Sequence, residues 1–244
     1  MDFAEISMFA HLVARPEGDL DLARAALVVA EAEYPGLDVS RYVEELDRLG
    51  AAARARVAAA PRRAPLATVI RFLYEELGFR GNGHDYYDPR NSFLNEVLDR
   101  RLGIPITLAL VVTEVCRRVG IDARGVSFPG HFLVRVHDTD GGIMFLDPFD
   151  GRLLDELQLG ELQARATGNE GPVDPRLLEP ARKVETLLRL LNNLRSIYER
   201  RGDRQRLLAV LARMQVLRPN DEIGAQVAEL SSSTARVGRG SDVN

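Results

Sequence analysis

Apolar positions recur at helical spacing through the first quarter of the chain: Leu20, Ala23, Leu27 and Val28, then Val39, Tyr42, Val43, Leu46 and Leu49. That period predicts short amphipathic helices over residues 7–60, with Tyr34-Pro35-Gly36 between two of them and Asp38 placed to cap the next. Pro61 and Pro65 stop an Ala- and Arg-rich run, and a helix over 66–77 ends at Gly78. Residues 79–90 carry turn chemistry at almost every position and read as a loop. Asn91 or Ser92 then caps a helix reaching about residue 102. Residues 106–119 are apolar on nearly all sides, which predicts a helix inside the fold, ended by Gly120.

Beyond that helix the period changes to two. A strand is expected over 123–128, and the runs 131–136 and 143–147, joined by HDTDGG, read as a β-hairpin. Residues 184–200 and 203–217 form a helix pair around Gly202, with Leu194, Ile197, Tyr198, Ala209, Leu217 and Pro219 spaced as in one tetratricopeptide repeat. The division expected is a helical N-terminal part with the core over 1–160, a Gly- and Pro-rich linker over 161–180, the repeat-like helices over 181–230, and a disordered tail over 231–244.

Composition narrows the function classes. The 244 residues include 36 acidic and 32 basic side chains, a net charge of -4, so no global field favours nucleic acid. All the basic residues except Lys183 are Arg and they are spread evenly, which marks composition and not an anion site. The longest apolar stretch, 104–116, lies between Arg100–Arg101 and Arg117–Arg118 and falls short of the ~20 residues of a membrane span. With a single cysteine and no apolar leader, the expected compartment is the cytoplasm, with no membrane partner.

The hairpin gives the sharpest geometric expectation. A turn centred near Thr139 opposes residues whose numbers sum to 278, pairing Leu133 with Phe145 and His131 with Asp147. Opposed side chains sit with Cβ atoms about 4.5–5.5 Å apart. A carboxylate at that distance fixes the imidazole tautomer, the orienting role in a nucleophile, base and acid triad; a structural His–Asp bond is the plainer reading. Cys116 lies some ten residues into the apolar helix, roughly 15 Å from its start, and reads as a core residue. Thr107 carries the sole hydroxyl at the helix start, as a candidate nucleophile or as a group bonding the first turn. The loop GNGHDYYDPRNS collects Asn82, His84, Tyr86, Tyr87, Asp88, Arg90, Asn91 and Ser92, either lining a ligand cleft or bonding to itself. His11 and His137 stand apart, and no phosphate loop, paired-cysteine motif or zinc helix occurs, so neither metal nor cofactor is expected.

The run YYDPRNSFLNEVLDRRLGIPITLALVVTEVCRRVGIDARGVSFPGHFLVRV, followed by FLDPFDG, resembles the SirB (YchA-type) family, which joins a transglutaminase-like core to a tetratricopeptide segment. The resemblance implies an α+β, cysteine-protease-like fold with a central buried helix packed on an antiparallel sheet. His131 matches the catalytic His of the wider superfamily and Asp147 its Asp. The nucleophilic Cys of active members falls at Pro105, so the thiol is missing, as is general in that family, and Ser often stands where this chain has Thr107. Three functions follow as expectations. The first is a regulatory pseudoenzyme holding a peptide or protein in the old cleft, lined by Pro105 and the loop residues. The second is a hydrolase or acyl transferase using Thr107, His131 and Asp147, and the third is a scaffold in which the pair only stiffens the hairpin.

Overall fold

The computed structural model describes residues 3–60, 65–137 and 141–239. The chain divides into two compact units, one formed by Met1–Leu37 with Lys183–Asn244 and the other by Asp38–Arg182.

In the first unit, α1 (Phe3–Val13), α2 (Leu22–Glu31), α8 (Lys183–Arg201), α9 (Arg204–Leu217) and α10 (Asp221–Arg239) pack together. Leu187, Leu190, Leu191, Leu194, Ile197 and Tyr198 form the buried stripe of α8 at helical spacing. Asp21 and Asp203 cap α2 and α9 by accepting from the N–H groups of Arg24 and Arg206. Lys183 ties the two chain segments together by donating from Nζ to the Leu20 carbonyl at 2.7 Å. Two expectations are corrected here. Residues 1–37 belong with the C-terminal helices and not with the core, because α1 and α2 bury their apolar faces on α9 and α8. The tail expected from Ser231 is helical to Arg239; once Asn220 caps the first turn by accepting from Glu222 and Ile223, each added residue costs little. Residues 240–244 lie outside the described ones.

The second unit is mixed α+β. Its helices are α3 (Val39–Ala59), α4 (Pro65–Ile70), α5 (Leu94–Arg100), α6 (Pro105–Val119) and α7 (Glu156–Thr167). A four-stranded antiparallel sheet runs in the order β3 (Ala123–Val126), β4 (Leu133–His137), β5 (Ile143–Asp147), β6 (Arg152–Leu154). The apolar helix of the sequence is α6, buried over every residue from Pro105 to Val112 and at Val115 and Cys116, with α3 and the sheet packed on it. β1 (Arg80–Gly81) and β2 (Leu102–Gly103) form a small parallel pair that periodicity did not reveal, since two residues carry no period.

Local differences have physical causes. The helix expected over 66–77 changes after α4 into a π-helical turn over Arg71–Glu76, in which Leu77 N–H reaches back five residues to Phe72 C=O at 3.0 Å. The linker expected over 161–180 is largely structured: α7 and a 3-10 turn at Pro175–Leu178 fill it. Its spaced leucines, Leu162, Leu177 and Leu178, pack against Val126, Phe128, Leu133 and Leu159, so the stretch stays with the core despite its Gly and Pro content. The hairpin register sums to 280, with Val134 opposite Leu146 and Arg135 opposite Phe145, two residues from the expected pairing. The turn centre at Thr139 falls outside the described residues.

α3 and α6 approach closely at Gly50, where an added Cβ would lie 2.5 Å from Arg118 Cβ. Gly50→Ala sets a helix-propensity gain of about 1 kcal/mol against overpacking of typically 1–3 kcal/mol. The contact involves the fixed base of the Arg118 side chain, so the clash prevails. We expect a fall of a few degrees in Tm; calorimetry showing a rise would mean that the two helices separate without cost.

Candidate functional site

Asp147 closes β5, and its Oδ1 accepts twice, from His131 Nε2 at 2.8 Å and from the Phe149 N–H at 2.9 Å. The pair forms although the register differs from expectation. A shift of two residues preserves the face on which each side chain lies, whereas a shift of one would have parted them. His131 stands just ahead of β4 in a turn where its N–H donates to Phe128 C=O at 3.1 Å and Gly130 adopts φ +66°. Both side chains are largely buried. A carboxylate only accepts hydrogen bonds, so Nε2 carries the proton, and in the neutral ring Nδ1 is the basic nitrogen.

The turn after Asp147 is held along its whole length. Gly151 N–H donates to Asp147 C=O at 2.9 Å, Tyr74 Oη donates to Pro148 C=O at 2.7 Å, and Gly81 N–H donates to Phe149 C=O at 2.6 Å. The Phe149 ring lies flat against Gly81, where any Cβ would come within 2.3 Å of it. Beyond it stands Tyr86, with ring centroids 6.3 Å apart, and then Tyr87, edge-on to Tyr86 at 5.4 Å. Tyr86 and Tyr87 are 41% and 54% exposed, so a stepped aromatic surface runs outward from the His–Asp pair. Phe149 was not foreseen as a site residue; the signal was its place in LDPFDG, immediately after the Asp.

In the loop over 79–92 the side-chain amides bond within the loop. Asn82 Nδ2 donates to Asn91 Oδ1 at 3.0 Å, Asn91 Nδ2 donates to Asp85 C=O at 2.7 Å, and Asp85 N–H donates to Asn82 Oδ1 at 3.1 Å. Asp88 accepts from the Arg90 N–H at 3.0 Å and pairs with the Arg90 guanidinium at 2.8 Å and that of Arg100 at 3.4 Å. Burial alone would raise the Asp88 carboxyl; the two guanidiniums outweigh it and hold the group below the usual range. Of the residues expected to line a cleft, Asn82, Asp88, Asn91, Ser92 and Pro105 are therefore interior, and Tyr86, Tyr87 and Arg90 face outward.

Thr107 does not join the pair. Its side chain is 0% exposed, and its hydroxyl donates to Asn91 C=O at 2.7 Å while lying 3.2 Å from the Ile104 N–H and 3.1 Å from the Ile104 carbonyl. These bonds close the first turn of α6 and tether the loop to it, the capping reading of the residue. Gly103 is required beside it, since a Cβ there would come within 2.9 Å of Thr107 Oγ1. Cys116 is fully buried far along α6, and burial pushes its thiol up to about 12. Among the described residues no group of three or more His, Cys, Asp or Glu is arranged to hold a metal ion, and no helix is long and apolar enough to cross a membrane.

Residues 40–192 match the model described as the transglutaminase-like superfamily, and the chain belongs to that superfamily. A UPF0162 protein of Xylella fastidiosa is 42% identical over 208 residues, covering 82% of this chain and 73% of that protein. The UPF0162 protein of Pseudomonas aeruginosa is 36% identical over 75% of this chain and 66% of its own length. F-box only protein 21 of mouse is 40% identical over 89 residues, 36% of this chain and 14% of that protein. No solved structure matches.

Two outcomes follow. Iodoacetamide at neutral pH is expected to leave Cys116 unmodified in the folded protein and to alkylate it fully in denaturant, read by intact mass; rapid labelling of the folded chain would place the thiol at a surface. Asp147→Ala removes the acceptor shared by the imidazole and the Phe149 N–H, a loss of about 2–4 kcal/mol, whereas His131→Ala leaves the Phe149 bond in place and costs less, about 1–2 kcal/mol. Urea unfolding of the two variants checks the order, and equal losses would mean that the turn does not depend on the carboxylate.

Proposed function

We propose that this chain is a non-catalytic member of its superfamily, of the SirB type and cytoplasmic, which holds an extended peptide or protein segment against the surface formed by Tyr86 and Tyr87 beside the His131–Asp147 pair. The observation that carries the reading is the state of the α6 start. By the family resemblance the nucleophile of active members would fall at Pro105; the Thr107 hydroxyl is committed to backbone groups, and the chain's one thiol is sealed in the core. A His–Asp pair without a nucleophile can orient and accept hydrogen bonds but forms no acyl intermediate. Exposed tyrosines supply large contact area at low conformational cost, which suits recognition of an extended chain. The α8–α9 pair, spaced like one tetratricopeptide repeat, offers a second surface for a protein partner and a route to a regulatory role.

Screening the full chain against an array of extended decapeptides tests this. Peptides that bind should lose at least tenfold in affinity, about 1.4 kcal/mol, on Tyr87→Ala or His131→Ala, and should be recovered uncleaved. A fluorophosphonate adduct that disappears in Thr107→Ala would overturn the reading in favour of a hydrolase. An array without binders would leave the pair as a structural feature alone.

A further inference from the structure

We propose that Tyr74 is a positioning residue that sets the His131–Asp147 pair through a single peptide plane, an inference that rests on the reading of that pair as the site. The carbonyl of Pro148 and the N–H of Phe149 belong to the same peptide unit, which is planar and rigid. Tyr74 Oη holds the oxygen of that unit at 2.7 Å, and Asp147 Oδ1 holds its N–H at 2.9 Å. The same Oδ1 holds His131 Nε2 at 2.8 Å. A continuous chain of donors and acceptors therefore runs from the phenol through the peptide to the carboxylate, where it meets the imidazole. Each bond in such a chain polarises and aligns the next. If the Tyr74 hydroxyl lets go, the peptide plane turns about the Asp147–Phe149 backbone, and the Phe149 N–H leaves the oxygen it shares with His131.

The placement of Tyr74 is built and not incidental. It lies in the π-helical turn over Arg71–Glu76, whose wide turn lets Phe72 and Leu73, both buried, be followed inward by Tyr74. π-Helical turns recur at functional sites. The Tyr74 ring rests on the far end of the same turn, at Gly151, where a Cβ would come within 2.7 Å of it and where φ is +77°. Glycine suits both demands, leaving room for the ring and adopting the left-handed conformation without strain. Burial pushes the phenol upward, and the carboxylates of Asp147 and Asp150 push it further, so the hydroxyl keeps its proton and remains a donor.

Tyr74→Phe keeps the ring and removes the bond to Pro148. The test uses the full chain, labelled with nitrogen-15 and without ligand, and measures solvent exchange of the His131 imidazole N–H and the Phe149 backbone N–H by NMR. The variant is expected to speed exchange at both protons by about tenfold or more, with backbone amides in α3 and the central part of α6 unchanged. Unaltered exchange at His131 and Phe149 overturns the proposal, as does an equal rise at every amide, which would report only a loss of global stability. Gly151→Ala, which displaces the ring while keeping the hydroxyl, should reproduce the local rise and serves if Tyr74→Phe does not fold. Because no peptide enters the measurement, a failure of peptide binding with the exchange result intact counts against the site's proposed use. Peptide binding with unaltered exchange counts against Tyr74 alone.

Discussion

One oxygen of Asp147 accepts from an imidazole and from a backbone N–H, and the site takes its form from that double acceptance. The bond to Phe149 shapes the turn that ends β5, and the bond to His131 draws the preceding turn of the hairpin onto it. The cost of stranding a buried donor makes this arrangement stiff: losing the carboxylate would leave two N–H groups without a partner in a partly dry environment. A histidine bonded in this way has its ring orientation fixed by the carboxylate.

Around that turn, close backbone approaches do what side chains cannot. Gly81 lets the Phe149 ring lie on β1, and Gly151 lets the Tyr74 ring lie beneath the turn. Through Phe149 the His–Asp pair meets Tyr86, and through Asn82 and Asn91 the same loop is bonded to the start of α6. Loop, turn and helix start are thus one hydrogen-bonded assembly, and the polar residues that sequence suggested as cleft lining are largely its internal fasteners. The aromatic steps are what this assembly shows to solvent.

The start of α6 is closed by hydrogen bonds of its own. An unpaired helix N-terminus suits an anionic nucleophile, but here it opens with Pro105, and Thr107 closes its first turn and binds the loop. Elsewhere in this unit His131 and Asp147 have a structural hold on the turn that ends β5.

Periodicity and simple counting determined much of this. The apolar run over 106–119 has no polar face, so it had to lie inside, and alternation on either side of HDTDGG had to give a hairpin with His131 and Asp147 on one face. A single cysteine placed deep in that run excluded a thiol at the helix start. Tertiary packing decided the rest, because it rests on contacts between residues far apart in the chain. Tyr74 meets Pro148 across 74 residues, and nothing local marks either as the partner of the other. The hairpin register lies two residues from the one a turn at Thr139 implies, leucines of α7 and of the 3-10 turn keep a Gly- and Pro-rich stretch on the core, and residues 1–37 pack with helices that begin at Lys183. Sequence pattern encodes which face of an element is apolar; which neighbour covers that face is a property of the assembled fold.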